Sequence, residues 1–308
     1  MRARLTCILA LSFTLAAAAH AQQRNAAEKL GYPPGTKLLM IHADDVGLAH
    51  SVNSATFDAL DGGVVTSASV MVPCPWLTEV AAYAKSHPAA DLGLHLTLTS
   101  EWKTYRWGPV ESRNLVAGLI DPDGYLWPAT APVFSKARPE EVELELRAQI
   151  DRALKMGIRP THIDTHMGAV ISPTLLPVYI KLAREYRLPF FAVRALGLPA
   201  SMLALLREDD VFPDAIAMAN PSVKPGQWQE YYEGVVRDLK PGLTELIVHL
   251  GYDDAELQAV TVDHPDFGSA WRQRDYEILR SVRFRRVIEE NGVKLVGWRG
   301  LAKPAVKP

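Results

Sequence analysis

Short apolar runs alternate with segments of helical periodicity along almost the whole chain, and this alternation constrains the fold more than any other feature. Parallel strands need a crossover connection, and an amphipathic helix supplies one, so the pattern is that of repeated βαβ units. The apolar runs predict strands at Leu38–His42, Val64–Val72, Leu92–Leu96, Thr161–Thr165, Phe190–Arg194, Glu245–His249 and Lys294–Trp298, with a weaker one at Ala215–Met218. Helices are expected at Ser54–Leu60, closed by Gly62-Gly63, at Pro139–Met156, closed by Gly157, at Pro173–Tyr186 and at Tyr276–Asn291. Seven or eight such units, with no Gly-rich phosphate turn after the first strand, predict a single-domain parallel (β/α) barrel, TIM-barrel-like, over residues 22–308. The stretch Thr97–Val133 is the main irregular segment, and a loop of that length in a compact domain is more often functional than idle.

The first residues follow a different logic. Met1-Arg-Ala-Arg4 leads into an apolar run, Leu5–Ala19, and then into Ala19-His20-Ala21, which is the form of a secretory signal peptide over residues 1–21. The run is shorter than the ~20 apolar residues that span a bilayer and lacks a stop-transfer flank. The expectation is export, to a periplasmic or secreted location, with a mature chain beginning at Gln22. Cys7 lies too early for a lipoprotein and would leave with the signal. Cys74 then stands alone, so no internal disulfide staples the mature chain and its stability must come from the core. A formal net charge of −2 with interspersed signs offers no basic stripe for phosphates, which argues against a nucleic-acid partner. No later segment is apolar and long enough for stable membrane insertion. The oligomeric state is open, a homodimer included.

Four of the expected strands end in ionisable residues, and the C-terminal edge is the active face of such a fold. Asp44-Asp45 follows Leu39-Met40-Ile41 directly. Adjacent residues of an extended strand point to opposite sides, so a turn at Val46-Gly47 is needed for both carboxylates to address one site. An acidic cap for the following helix is the alternative. His95 lies within the strongly apolar run Asp91–Thr99, towards the C-terminal end of its strand, where a lone histidine would be read as a satisfied core residue. In Thr161-His162-Ile163-Asp164-Thr165-His166 the spacing of two puts His162, Asp164 and His166 on one strand face. Three ionisable groups on a buried face need partners, and a metal, or a network supporting one, supplies them; imidazole and carboxylate together suit zinc or a similar divalent ion. Glu245–His249 repeats the plan, delivering His249 just before a glycine-containing loop.

Taken together, Ala43-Asp-Asp-Val-Gly47, Val65-Thr-Ser67, Gly93-Leu-His-Leu-Thr-Leu-Thr99, Thr161-His-Ile-Asp-Thr-His166 and Val248-His-Leu-Gly251 resemble the motifs of the YdjC-like carbohydrate deacetylases, in the same order and across nearly the whole mature chain. That family includes chitooligosaccharide deacetylases and hopanoid-pathway deacetylases. The resemblance implies one divalent ion, Mg2+ or Zn2+, held by Asp45, His95 and His166, with Asp44 as general base and His249 as proton donor to the leaving amine. His42 stands where the family usually has Asn, Val46 replaces an aromatic, the run after His166 is poorer in histidine, and Leu250 replaces a proline.

The activity so implied is hydrolysis of the N-acetyl amide of an amino sugar or oligosaccharide, with release of acetate. The chemistry suits the residues: a metal polarises the carbonyl and acidifies water, Asp44 takes a proton, and an amine leaves poorly unless His249 gives it one. His162 and Asp164 would orient the ligands from behind. Trp102, Tyr105 and Trp107 would stack on sugar rings or, equally well, pack the long loop. Arg272, Arg274 and Asp275 could reach the site from the last long helix but read best as a solvated helix end, with Arg274 retained as a substrate-binding candidate. The competing functions are a metal-dependent phosphoesterase and a non-catalytic glycan-binding barrel.

Overall fold

The computed structural model describes residues 24–192 and 199–301. The expected signal peptide, with Cys7 and Gln22, lies outside the described residues, as do Val193 and Arg194 at the end of one expected strand. The other expected strands appear, with shifted bounds: β1 Lys37–Val46, β2 Ser67–Val70, β3 Leu92–Leu96, β4 Ile163–Thr165, β5 Ala215–Met218, β6 Gly242–His249 and β7 Lys294–Leu295. All are parallel, in the order β4-β3-β2-β1-β6-β5, with β7 paired to β1.

The closed barrel of seven or eight units is not what forms. Among the described residues β4 and β5 end the strand order without pairing to each other. Two of the expected rungs do not become full strands. Phe190 makes a single bridge to Ile163, and β7 is only two residues long and lies against Leu38–Leu39, on the half of β1 that β2 leaves free. The result is an open α/β sheet, strongly curled. β1 and β4 are separated by two strands, a span of roughly 14 Å in a flat sheet. Yet His42 Nε2 of β1 lies 2.9 Å from Asp164 Oδ2 of β4, so the sheet bends round its inner face.

β1 is buried along nearly its whole length, as a central parallel strand covered on both faces should be. Leu39, Ile41 and Ala43 face the helices in the main core, whereas Leu38 and Met40 join Leu243, Trp298 and Leu301 in a plug at the lower end. Above that plug the inner face turns polar, through His42 and then Asp44. One helix expectation also needs correction. Tyr276–Asn291 is not continuous but two helices, Ser269–Arg280 and Val282–Glu290. Ser281 between them is extended (φ −66°, ψ 139°), and its hydroxyl accepts from Phe284 N as an N-cap. No helix among the described residues is long and apolar enough to cross a membrane.

Candidate active site

The site begins with a break in β1. Its register against β2 shifts between Ala43 and Val46, and Asp45 takes a left-handed backbone, φ 70°. On a regular strand Asp45 would point away from Asp44, towards the helices. The bulge swings it back, so the reversal needed to join the two carboxylates sits at Asp45 itself and not at Val46-Gly47. Such a backbone costs on the order of 1 kcal/mol at a non-glycine residue and concentrates at functional sites.

Asp45 is buried, and Arg272 Nη2 donates to its Oδ2 at 2.6 Å. Its Oδ1 is buried and makes no hydrogen bond. The nearest nitrogens are His166 Nδ1 at 3.3 Å and His95 Nε2 at 3.5 Å. Burial favours the neutral acid, but the Arg272 guanidinium, with His166, outweighs it and holds this carboxyl well below the usual range. Asp44 Oδ2 lies 3.7 Å from His95 Nε2 and 4.0 Å from His249 Nε2.

Each histidine beside Asp45 has a second carboxylate behind it. His95 Nδ1 lies 2.7 Å from Asp164 Oδ1. Burial works against the Asp164 charge, yet His95 and His42 keep its carboxyl ionised. An ionised carboxylate only accepts, so His95 Nδ1 carries the proton and Nε2 is left facing Asp45. His166 is the mirror case, with Nε2 at 3.0 Å from Glu101 Oε2 and Nδ1 towards Asp45. Burial lowers the affinity of His166 for a proton, but Glu101 and Asp45 overcome this and raise it to about 10. An ion binding there displaces that proton, which makes binding pH-dependent.

His249 sits at the end of β6 with its backbone N–H donated to Asp275 Oδ2 at 3.1 Å. Burial first, and then Arg272, push its ring down to about 4. The ring is therefore neutral at rest, and a proton donor at this position must first take one up. Phe267 packs edge-on against it, with centroids 5.0 Å apart.

His162 shares a strand face with His166 but not a site. It stacks on Trp298 at 4.8 Å and fills the space that a side chain at residue 93 would take: a Cβ on Gly93 would stand 2.3 Å from its ring. His42 links the two levels, 2.9 Å from Asp164 Oδ2 and 3.2 Å from Asp44 Oδ1.

Other sequence candidates fall as follows. Trp102 and Trp107 are buried; Trp107 Nε1 donates to Thr99 O, whereas Trp102 Nε1 has no partner, with Arg272 over the ring at 5.7 Å. Tyr105 is half-buried and donates to Leu48 O. Packing the loop thus accounts for Trp107 and Tyr105 better than an open stacking platform does. Arg274 lies over Trp228 at 4.6 Å. Arg272 and Asp275 are buried and not at a solvated helix end, a reversal of the sequence reading. Asp275 accepts from Trp228, Tyr232 and His249 N, and Arg272 reaches Asp45. The helix pattern could not reveal this, because a guanidinium and a carboxylate look solvent-bound until a distant partner is known. Glu101 was missed entirely; it sits in the irregular segment, where no period marks a face.

Among the described residues, three buried groups have ligand atoms close enough to hold an ion: Asp45, His95 and His166; Asp44, His95 and Asp164; and His42, His162 and Asp164. The first fits best, since it alone combines an unpartnered carboxylate oxygen with two imidazole nitrogens that have their other nitrogen occupied.

The sequence profile of the YdjC-like protein family matches residues 38–290. A carbohydrate deacetylase of Thermus thermophilus is 37% identical over 269 residues, spanning 85% of this chain and 93% of its own. One from Geobacillus stearothermophilus is 30% identical over 270 residues, spanning 86% and 98%. Among solved structures, a protein of Enterococcus faecalis V583 described as a candidate for cellobiose-phosphate cleavage superposes with a TM-score of 0.74 at 31% identity, covering 87% of this chain and all of its own (100%).

Proposed function

The chain belongs to the YdjC-like protein family, and from that premise we propose that it is a metal-dependent carbohydrate N-deacetylase, a hydrolase that cleaves the N-acetyl amide of an amino sugar or oligosaccharide and releases acetate. The observation that carries the reading is the buried Asp45 Oδ1, which makes no hydrogen bond and is faced by His166 Nδ1 at 3.3 Å and His95 Nε2 at 3.5 Å with Asp44 and His249 alongside. Asp45, His95 and His166 are the residues that would hold a divalent ion, Mg2+ or Zn2+. When bound, that ion supplies Lewis acidity for the acetyl carbonyl and for the attacking water.

The chain's own groups do the rest. Asp44 accepts the proton of the water as its oxygen bonds to the carbonyl carbon. Because His249 starts neutral, it takes up during turnover the proton that Asp44 has accepted, relayed by one water between Asp44 Oδ2 and Nε2, which lie 4.0 Å apart, and passes it to the nitrogen as the C–N bond breaks. The water proton thus ends on the amine, and acetate leaves. Arg272 keeps Asp45 ionised and its orientation fixed. A phosphoesterase would want free cationic groups for its phosphate, and Arg272 is already bonded to Asp45 and to Phe267 O. A binding protein would need neither a base at Asp44 nor a proton carrier at His249. The N-terminal sequence supports export of a mature domain over residues 22–308.

Acetate release from a panel of N-acetylated oligosaccharides, with and without chelator, tests the proposal. Release abolished by chelator and restored by Zn2+ or Mg2+ is expected; release indifferent to chelator, or none from any N-acetylated sugar, sinks it.

A further inference from the structure

The two histidines beside Asp45 present different nitrogens to it, and the reason lies behind them. His95 is held inside the sheet by Asp164 at 2.7 Å and by Ser69 Oγ at 3.2 Å. His166 has no such frame. It follows the last residue of β4, on a short turn in which Met167 takes a left-handed backbone, φ 53°. Its ring is packed by His95, edge-on at 5.2 Å, and by Trp107 at 6.4 Å, contacts that leave the choice of tautomer open. Its Nε2 lies 3.0 Å from Glu101 Oε2, and its Nδ1 faces Asp45. Glu101 opens the long irregular segment, next to Trp102, and a second bond joins the same two places: Thr99 Oγ1 donates to Met167 Sδ at 3.3 Å.

We propose that Glu101 is a positioning residue of the metal site: by accepting Nε2–H of His166 it selects the tautomer whose Nδ1 lone pair faces the ion, and it thereby makes the entrance of the aromatic segment part of that site. His95 would then bind through Nε2 and His166 through Nδ1, each with a carboxylate on the opposite nitrogen. A carboxylate behind a ligating imidazole raises its basicity and fixes its ring, and losing one typically costs ~10- to 100-fold in metal affinity. The inference rests on the deacetylase reading for its ligand set, though not for its readout.

The test measures Zn2+ binding by the full chain through competition with a chromophoric chelator, together with nitrogen chemical shifts of labelled histidine in the Zn2+ form. Glu101→Ala should fold, because the side chain is partly exposed and the substitution removes its bond to His166 without opening the core; a thermal melt checks this. It should bind Zn2+ about 10- to 100-fold more weakly. Glu101→Gln should recover part of that loss, since its amide oxygen still accepts from Nε2–H. In the wild type the His166 shifts should show a metallated Nδ1 and a protonated Nε2. Hydrogen exchange across residues 97–133 should slow on Zn2+ binding in the wild type and much less in Glu101→Ala. Wild-type affinity in Glu101→Ala, or a metallated Nε2 at His166, overturns the inference alone. A wild-type chain that takes up no Zn2+ overturns the ligand set proposed above and this inference with it.

Discussion

His162 and His166 flank the short strand β4, one just before it and one just after, yet they serve opposite ends of the curled sheet's inner face. The upper level, where His166, His95, Asp44 and Asp45 meet, is crowded with charge and leaves Asp45 Oδ1 unsatisfied. In the lower level, His162 is pressed between Gly93 and the Trp298 ring, and burial holds it neutral. Polar groups in the lower level are paired in part: His42 Nδ1 meets Ser67 Oγ at 2.8 Å and Trp298 Nε1 donates to Glu245 Oε1 at 2.9 Å, while His162 Nε2 and Glu245 Oε2 make no hydrogen bond. The difference teaches that a polar face of one sheet can be split by height into a level that stabilises and a level that gathers the proposed reacting groups. Strand parity assigns the face; the flanking loops, Glu101 and Arg272 above and Trp298 below, assign the level.

If the split is real, the largest effect comes from the upper level and falls on rate, not on stability. Asp44→Asn keeps the shape of the base and removes its proton affinity, so turnover should drop ~10²- to 10⁴-fold. The melting temperature and Zn2+ binding should stay near wild type, because Asp44 is not in the proposed ligand set. Acetate-release kinetics with metal analysis decide it. Should Asp44→Asn lose the metal instead, Asp44 is a ligand and the base lies elsewhere.

The lower level should respond in the opposite way. Gly93→Ala puts a Cβ where the His162 ring already stands, and overpacking of this kind typically costs ~1–3 kcal/mol. Denaturant unfolding reads the loss. A double-mutant cycle with His162→Ala sharpens it: once the ring is removed the alanine at 93 has room, so the two costs should fall short of additive by a measurable margin. Strict additivity would mean that the ring and the glycine do not depend on each other, and the account of the lower level would fail.

How much of this was legible beforehand follows the same line. Apolar runs located the strands among the described residues, because burial on both faces leaves short apolar stretches such as Leu38–Ile41 in β1 and Leu246–Val248 in β6. Strand ends gave Asp44, Asp45, His95, His166 and His249. Closure of the sheet was not legible, since period cannot distinguish a two-residue strand such as β7 from a full rung. Nor was the bulge at Asp45, which depends on register against β2. Glu101 and Arg272 escaped for a different reason: their roles exist only through partners 65 and 227 residues away. Ser281 was a missed local signal, a capping serine inside a run of helical period.

The smallest effect should come from Glu245, at the foot of the lower level. It is buried, Trp298 Nε1 donates to its Oε1, and its Oε2 has no partner. Burial pushes its carboxyl up to about 7, against a usual 4.5. Between those two values the folded chain holds a proton that the unfolded chain has released, so the folded state binds more protons and stability must fall as pH rises from 4.5 to 7, then level off. At one pKa unit per ~1.4 kcal/mol the whole fall is at most about 3.5 kcal/mol. Glu245→Gln removes the ionisation but places an amide N–H2 where Oε2 has no acceptor, at a cost of ~1–3 kcal/mol. The variant should therefore be less stable than wild type at pH 5 and close to it, or slightly more stable, at pH 8. The crossing of the two stability curves between those pH values is the signature to measure by urea unfolding. Parallel curves would show that Glu245 does not change its charge across this range and that the lower level holds its carboxylate ionised, as the upper level does.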